Sequence, residues 1–264
     1  ICFQTGPGKP FKIIDYGQLS PYQVWNTAIA DIDHNGYNDM VFAANENKAY
    51  IYYGVRTAEG IKYSIESLDS SQTAYAQAGN LIDINKDGWL DYFLCNDIGL
   101  NLIWSGNKQG KINGNPVNWI DFRTSPVSDN SGNYGSTWND FDNDGDLDIL
   151  MTNQFGAPFF YKNEVKNKSW IGVKLNGNGV STNKDAVGTK VWLTYMANGK
   201  KVTQYKEVRL VNGFSAMGDT RLLFGMGDRK NKLSDVVLKI RWHNGKEEVI
   251  TIPKLEKYLE INQR

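Results

Sequence analysis

Residues 140–148 read DFDNDGDLD, and this stretch decides the interpretation of the first half of the chain. Carboxylates alternate along it, Gly145 allows a sharp turn at the sixth position, and an aspartate closes the pattern at the ninth. Alternate side chains can direct oxygens to one point, and the backbone carbonyl at position seven can join them. The predicted ligands of this loop are Asp140, Asp142, Asp144, Asp146 and Asp148.

The pattern D-x-[DN]-x-[DN]-G-x-x-D occurs twice more, at residues 31–39 and 83–91. A single match would also suit an ordinary polar turn, because Asp, Asn and Gly favour turns. Three matches that begin 52 and 57 residues apart favour a repeated cation-binding loop. The predicted ligands, with the residue at position seven contributing its carbonyl, are Asp31, Asp33, Asn35, Tyr37 and Asp39 in the first loop and Asp83, Asn85, Asp87, Trp89 and Asp91 in the second.

Calcium is the cation that this ligand set favours. It accepts six to eight oxygen ligands at variable geometry, whereas magnesium demands a tighter octahedron and zinc prefers nitrogen and sulfur. The loop resembles the start of an EF-hand loop, but the glutamate at position twelve is absent and strands are predicted to flank it. We therefore expect up to three structural Ca²⁺ sites, with the third and most acidic loop binding most tightly.

Each loop lies at the same place in a repeated unit of short strands. An apolar strand precedes the loop, a second follows it, and a third ends in aromatic residues. A further strand is predicted before each unit, at residues 11–16, 62–67 and 118–123. Four short strands in roughly 50 residues are typical of a propeller blade. Residues 1–164 are thus predicted to form three blades, and the blades that would close a ring of ~4–8 would come from a longer precursor, another chain or self-association.

From about Val165 the aspartate loops stop and longer strand patterns begin. AsnGly pairs separate several of these strands, at residues 176–177, 198–199 and 244–245. AsnGly between alternating strands is typical of a hairpin turn. Residues 165–264 are therefore predicted to form an antiparallel sandwich or small barrel. The predicted fold class is all-β, a partial β-propeller followed by this second β domain.

Composition and charge exclude some classes of function. The 264 residues have a formal net charge of +0, which gives no argument for binding nucleic acid or an anionic membrane. No apolar run reaches the ~20 residues that a transmembrane segment needs. Cys2 and Cys95 are expected to be one buried thiol and one terminal thiol, and export would leave a disulfide between them open as an alternative. His34 and His243 each precede Asn-Gly and are predicted to be solvated turn residues, which argues against a histidine-based site.

These motifs resemble two known families. The loop-bearing units look like the FG-GAP/VCBS repeats of β-propellers, which occur in integrin α-subunits and many bacterial exported proteins. Residues 165–264 are similar to the ASPIC/UnbV domain, with AVGTKV at 186–191, LFGMG at 223–227 and VLKIRWHNG at 237–245. The combination resembles the cartilage-acidic-protein family of secreted calcium-binding proteins. This resemblance implies an extracellular, cell-surface or periplasmic location and an adhesive or scaffolding role.

The sequence therefore predicts a secreted or surface module that uses calcium-stiffened blades to recognise a protein or glycan partner. Two alternatives stay open: an enzyme with its site in the propeller channel, and a structural subunit of an extracellular assembly. The sequence contains no GxSxG, HExxH or P-loop motif, and no catalytic residue is predicted. Polar residues that converge in the channel with perturbed pKa values would favour the enzyme.

Overall fold

The computed structural model describes residues 2–4, 11–13, 24–44, 48–58, 60–69, 76–97, 101–117, 133–154, 156–213 and 216–264. Across these residues the chain forms strands and turns without a helix, and no sheet closes into a barrel. None of the described segments is a helix of the length and apolarity that a membrane crossing requires. The predicted all-β class is confirmed.

The strands occur in two groups along the chain. Those of the first group are β1 (Cys2–Gln4), β2 (Phe11–Ile13), β3 (Val24–Ala30), β4 (Asp39–Ala44), β5 (Lys48–Thr57), β6 (Gly60–Asp69), β7 (Ala76–Ile82), β8 (Asp91–Asn96), β9 (Leu102–Trp104), β10 (Asn133–Asn139), β11 (Asp148–Asn153) and β12 (Phe159–Tyr161). Those of the second group are β13 (Lys168–Asn176), β14 (Lys190–Ala197), β15 (Lys200–Glu207), β16 (Val211–Gly213), β17 (Ala216–Met217), β18 (Leu222–Asp228), β19 (Leu233–Arg241), β20 (Glu247–Thr251) and β21 (Tyr258–Asn262).

Three antiparallel sheets of the first group share one plan, and we refer to them as blades one, two and three. Their strand orders are β3-β4-β5-β6, β7-β8-β9 and β10-β11-β12. In each blade an aspartate loop joins the first strand to the second; loops one, two and three are residues 31–39, 83–91 and 140–148. The residue before each loop pairs with the ninth residue of the loop, and each first strand begins with a register shift. The sequence repeat is therefore also a repeat of strand register.

The fourth strand of a blade differs from the prediction. Residues 62–67 lie in β6, which pairs with β5 from Lys48↔Asp69 to Thr57↔Gly60. This strand therefore completes the blade of loop one, and its predicted place at the start of the next unit is wrong. The predicted strand at 118–123 lies outside the described residues, and of 11–16 only β2 is described, paired with β1.

The blades stack face to face through alternate residues of their second strands, as the two-residue period of a strand requires. Val41 of blade one packs in one apolar cluster with Tyr92 of blade two. Phe93 points to the opposite face and packs with Ile149 of blade three. All four side chains are at most 1% exposed. Cys95 also lies in the second interface as a free, buried thiol, which does not support a disulfide with Cys2.

Residues 165–264, here called the C-terminal unit, contain two larger sheets, with the orders β18-β13-β21 and β15-β14-β19-β20, and the two-stranded sheet β16-β17. Ile171 and Phe224 of the first sheet and Val191 and Leu238 of the second share one buried core, so the unit is a sandwich. Its strand pairs are antiparallel except β13 with β21, which are parallel. The prediction of a purely antiparallel domain is wrong at this pair.

Two of the predicted AsnGly hairpins are present. Asn198 and Gly199 join β14 to β15 with φ values of 49° and 78°, as a type I′ turn requires. Gly245, with φ of 88°, lies in the turn between β19 and β20. The pair at 176–177 follows β13, which pairs with β18 and β21 and not with the next strand in sequence. That hairpin prediction is wrong.

The C-terminal unit packs against the loop ends of the blades. Near loop one, the guanidinium of Arg209 donates to the carbonyl of Ile29 and lies 3.4 Å from Asn38 Oδ1. At loop two, the backbone N–H of Gly227 donates to the carbonyl of Lys86 at 2.9 Å. Loop three has the most polar contacts with this unit, described below. The aspartate loops are thus interface elements as well as turns.

Candidate metal centres

All three loops fold around their first aspartate. In each one this carboxylate accepts a hydrogen bond from the N–H of the glycine at position six, at 2.9–3.0 Å. The glycines have φ between 86° and 91°, a left-handed conformation that favours glycine. The residues at position four also have positive φ, between 56° and 64°. The shared backbone path explains why Asp, Asn and Gly recur at fixed positions.

The aspartate at position nine of each loop joins the loop to the third strand of its blade or to the residues just after that strand. Asp39 accepts the N–H groups of Ile32 and Gly54, one on each oxygen and both at 2.7 Å. Asp91 and Asp148 make the corresponding pairs of hydrogen bonds at 2.8–3.3 Å. The oxygens of Asp39 and Asp148 each retain a lone pair for a cation, whereas Asp91 Oδ1 also accepts the hydroxyl of Ser105 at 3.3 Å. Sequence reasoning treated these residues as ligands and missed their role in joining loop to blade.

Loop one fits a cation with oxygen ligands. Asp31, Asp33 and Asp39 each place one oxygen within 4.8 Å of the others. Asp31 is 2% exposed, and its Oδ1 is a buried acceptor without a hydrogen-bond partner among the described residues. Burial raises the pKa of Asp31 and of Asp39 to about 7. A bound cation would satisfy the orphaned oxygen and offset the cost of burying ionised carboxylates.

Loop three brings together Asp140, Asp142 and Asp144, with one oxygen of each within 4.8 Å of the others. Asp148, the expected closing ligand, is not a member of this cluster. The ammonium of Lys162 lies 2.5 Å from Asp142 Oδ2, and this hydrogen bond lowers the pKa of Asp142. Lys162 is about half exposed and can turn into solvent when a cation takes its place.

The side chain of Asp146 contacts other elements of the protein. Its Oδ2 accepts the N–H of Val165 at 3.0 Å and lies 3.4 Å from the ammonium of Lys86 in loop two. Burial raises the pKa of Asp146 to about 7 despite the nearby lysine. Asp146, the additional carboxylate of loop three, therefore connects this loop to loop two and to the start of the C-terminal unit. The sequence carried one signal for this contact, a lysine among the aspartates of loop two.

Loop two is the most buried of the three. Asp83 is 5% exposed and Asp91 is fully buried, and burial raises their pKa values to about 7 and about 8. Among the described residues its three carboxylates do not come within 4.8 Å of one another. Asn85 occupies position three, and its amide donates to Asp87 Oδ2 at 3.2 Å. A cation in this loop would use the Asn85 oxygen in place of a third carboxylate.

Loops one and two are also joined by aromatic stacking. The rings of His34 and Trp89 lie 4.3 Å apart at an angle of 15°. Burial lowers the pKa of His34 to about 4, so its ring is neutral at pH 7. The prediction of a solvated turn residue is therefore wrong for His34, whereas His243 is exposed as predicted.

Loop three receives side chains from the C-terminal unit. The hydroxyl of Tyr258 donates to Asp140 Oδ2 at 2.6 Å. The guanidinium of Arg221 donates to the carbonyl of Asp140 at 2.6 Å and to Asn143 Oδ1 at 2.5 Å. It also lies over the ring of Tyr258, 4.4 Å from the ring centre. No sequence signal linked these residues, which are far apart along the chain.

A cleft of about 140 Å³ lies between the first strands of the blades and the C-terminal unit. Ser136 and Asn80 form a hydrogen bond of 2.5 Å in its wall. The charged wall residues outside the aspartate loops are Lys206, Glu207, Arg209, Asp219 and Arg221. Glu207 pairs with Arg209 and Asp219 with Arg221, while burial lowers the pKa of Lys206. These charged residues all belong to the C-terminal unit, whereas the enzyme alternative predicted polar residues in the propeller channel.

Comparison with protein-family models agrees with this architecture. Residues 83–151, which include loops two and three, match the model of the FG-GAP-like repeat. Residues 179–264 match the model of the ASPIC and UnbV domain. No curated protein matches the chain. FG-GAP repeats imply a propeller-like fold, so the three sheets are blades of an open propeller-like array followed by an ASPIC/UnbV domain, and the predicted resemblance to this repeat and this domain is confirmed.

Proposed function

We propose that the chain is a calcium-binding recognition module in which cations in the aspartate loops stabilise the blades. One observation carries the proposal: the buried Oδ1 of Asp31 lies within a cluster of three carboxylates and has no hydrogen-bond partner among the described residues. A second carboxylate cluster occurs at the same place in loop three. The match to FG-GAP-like repeats, which commonly bind calcium, supports the same conclusion.

Calcium is the cation of choice because every candidate donor is an oxygen. A calcium ion accepts six to eight such donors, and carboxylates, an asparagine amide and a backbone carbonyl are typical ligands. A ligand that binds the folded state stabilises it in proportion to the logarithm of its concentration over Kd. Cation binding therefore stabilises the folded conformation of the loops. Because the aspartate at position nine also joins each loop to its blade, the blade is stabilised with the loop.

The proposed partner is a protein or a glycan outside the cell. Phe141 and Phe160, 47% and 54% exposed, form an edge-to-face pair on blade three with ring centres 5.3 Å apart. Exposed aromatic pairs on a rigid scaffold are suited to packing against apolar side chains or sugar rings. The occurrence of FG-GAP repeats, typical of extracellular proteins, supports the proposed location.

The assembly alternative rests on the face of blade three that carries the exposed side chain of Phe160. Val41 and Phe93, at equivalent positions in blades one and two, are each covered by the next blade and at most 1% exposed. Leu150 occupies this position in blade three and is only partly buried. A further blade or a second copy would cover it, and sedimentation of the wild type against Phe160→Ser distinguishes such an assembly from a monomer.

The calcium proposal is tested by thermal unfolding of protein in excess calcium and in chelator. We expect a higher Tm with calcium and a much smaller increase with magnesium. The double variant Asp33→Asn/Asp142→Asn should lose most of the increase. Asp185→Asn, at an exposed position outside the loops, is the matched control and should retain it. An equal Tm for the wild type in both conditions would contradict structural calcium binding.

The enzyme alternative rests on Lys206, which lies in the wall of the cleft and donates to the carbonyl of Leu223 at 2.5 Å, and burial lowers its pKa. An amine of this kind is a stronger nucleophile at neutral pH because more of it is unprotonated. This alternative predicts that Lys206 is acylated at neutral pH faster than Lys174, which is half exposed. Labelling followed by peptide mass spectrometry measures both rates, and slower labelling of Lys206 would argue against the alternative.

A further inference from the structure

We propose that Tyr258 and Arg221 position Asp140 for cation binding, so that the C-terminal unit completes the site in loop three and its docking is linked to cation binding. The inference rests on the proposed calcium binding and adds a role for the second domain. The ASPIC/UnbV-like unit would act as part of the metal centre, beyond its own fold. Three sets of contacts support it.

The first is the hydrogen bond between Tyr258 and Asp140. Asp140 Oδ2 accepts both this hydroxyl at 2.6 Å and the N–H of Gly145 at 2.9 Å, while Oδ1 accepts the N–H of Asp144 at 3.1 Å. A tyrosine hydroxyl is ordinarily protonated in the neutral range and can therefore donate to the carboxylate. A hydroxyl-to-carboxylate bond of this length is charge-assisted and fixes the carboxylate plane.

The second set belongs to Arg221. It donates to the carbonyl at position one and to the side chain of Asn143 at position four, so it holds the first half of the loop. Its Nε donates to Asp219 Oδ2 at 2.6 Å. This ion pair neutralises the guanidinium, which can therefore hold the loop with little repulsion of a bound cation. The ring of Tyr258 beneath it keeps both side chains in place.

The third is a comparison among the loops. In loop one, Asp31 accepts the N–H of Gly36 on Oδ2, and its Oδ1 has no partner among the described residues. In loop two, Asp83 accepts backbone N–H groups of its own loop at 3.0 Å. Among the hydrogen bonds of the described residues, only the first aspartate of loop three accepts a side-chain donor from the C-terminal unit. Loops one and two are therefore internal controls.

Two tryptophans allow the loops to be observed separately. The ring of Trp170 packs on loop three so closely that a Cβ on Gly145 would lie 1.9 Å from it. Trp89 belongs to loop two and stacks on His34 of loop one. Terbium(III), which replaces calcium and luminesces when a nearby indole is excited, reports each site. Trp170→Phe should remove the loop-three signal, and Trp89→Phe should remove the others.

The experiment is a terbium titration of full-length Tyr258→Phe, followed by displacement with calcium. Side chains that orient a metal ligand typically change affinity 10–100-fold. We expect the Trp170-sensitised phase to weaken about tenfold or more and the Trp89-sensitised phase to remain unchanged. Tyr92→Phe is the matched control, because it removes a buried hydroxyl that has no hydrogen-bond partner among the described residues. Its two phases should match the wild type.

The outcomes separate the two proposals. No sensitised luminescence from the wild type would contradict calcium binding itself. Wild-type binding with an unchanged Trp170 phase in Tyr258→Phe would overturn the positioning role. If both phases weakened equally in Tyr258→Phe, the effect would be general unfolding, and the variant would contradict a specific positioning role for Tyr258.

The same linkage is measurable without altering Tyr258, because coupling between two events is reciprocal. Calcium should slow amide hydrogen exchange in β21, the strand that carries Tyr258, by about the same factor as the change in affinity. Asp144→Asn, which removes a ligand from loop three, should abolish this protection, whereas Asp33→Asn in loop one should leave it. Exchange in β21 that does not respond to calcium would contradict the proposal.

Discussion

The ammonium of Lys86 in loop two lies 3.4 Å from the carboxylate of Asp146 in loop three, and the two side chains are 5% and 1% exposed. Removing one partner of such a buried pair leaves an uncompensated charge and costs about 3–5 kcal/mol. We expect Lys86→Met to lower the free energy of unfolding by about 3 kcal/mol, measured by urea denaturation. Lys108→Met, at an exposed position, should change it by less than about 0.5 kcal/mol.

A double-mutant cycle identifies the pair as the cause. Lys86→Met/Asp146→Asn should be less destabilised than the sum of the two single variants, because neither leaves the other charge unpaired. Additive effects would show that the two side chains stabilise the protein through separate contacts.

Gly36 and Gly145 offer a matched comparison, since both have φ of 86° but only the second meets a neighbouring element. A Cβ on Gly36 has nothing within 4 Å, so Gly36→Ala reports backbone strain alone, about 1 kcal/mol. Gly145→Ala adds a clash with Trp170 and should cost at least twice as much. Equal losses in urea denaturation would mean that Trp170 moves away without cost.

Substitution of the aspartate at loop position nine should reduce stability, whereas substitution of the aspartate at position three should weaken calcium binding. Asp91→Asn leaves one buried N–H, of Ile84 or Gly106, facing an amide nitrogen, and should cost about 1–3 kcal/mol even in chelator. Asp33→Asn removes a cation ligand from a partly exposed position and should leave the metal-free stability nearly unchanged. Its effect should appear as weaker calcium binding in calorimetry. If Asp91→Asn lost stability only in the presence of calcium, the clamping role of Asp91 would be contradicted.

The metal-free protein should lose stability as the pH rises. Burial raises the pKa of Asp31 to about 7 and of Asp91 to about 8, above the ordinary value near 4. Between about pH 4 and pH 8 the folded state then holds protons that the unfolded chain has released. The free energy of unfolding therefore falls through this window. Calcium binds the ionised carboxylates and should reduce or reverse the fall.

Urea denaturation at pH 5 and pH 8, in chelator and in excess calcium, measures this effect. Asp31→Asn should show a shallower pH dependence in chelator, because one of the titrating groups is gone. Metal-free stability that rises from pH 5 to pH 8 would contradict the assigned burial.

The sequence predicted the loops and blades well because their information is local. Nine residues specify each loop, since Gly88 must adopt positive φ and Asp83 must accept its N–H. The alternation of apolar residues then fixes which side of a strand faces which neighbour. Likewise, Asn198 and Gly199 identified their hairpin because the turn needs nothing beyond its own backbone.

Long-range relationships were not predictable in the same way. The parallel pairing of β13 with β21 joins residues at opposite ends of the C-terminal unit, and no local pattern distinguishes a parallel from an antiparallel partner. His34 looked like a solvated turn residue because its stacking partner, Trp89, is in another blade. Asp148 also acts as a clamp because it accepts the N–H of Asn163, which follows the third strand of blade three. This role could be recognised only once the fold was known.

The distance of 118 residues between Asp140 and Tyr258 also has a consequence for how the protein is made. Chains are synthesised from the N-terminus at about 5–20 residues per second, so loop three leaves the ribosome roughly 6–24 s before its hydroxyl donor. During that interval the blades carry an incomplete third loop. The arrival of β21 beside β13 finishes the C-terminal sandwich and this loop in one event. Loop three therefore reaches its final hydrogen bonding only after β21 has been synthesised.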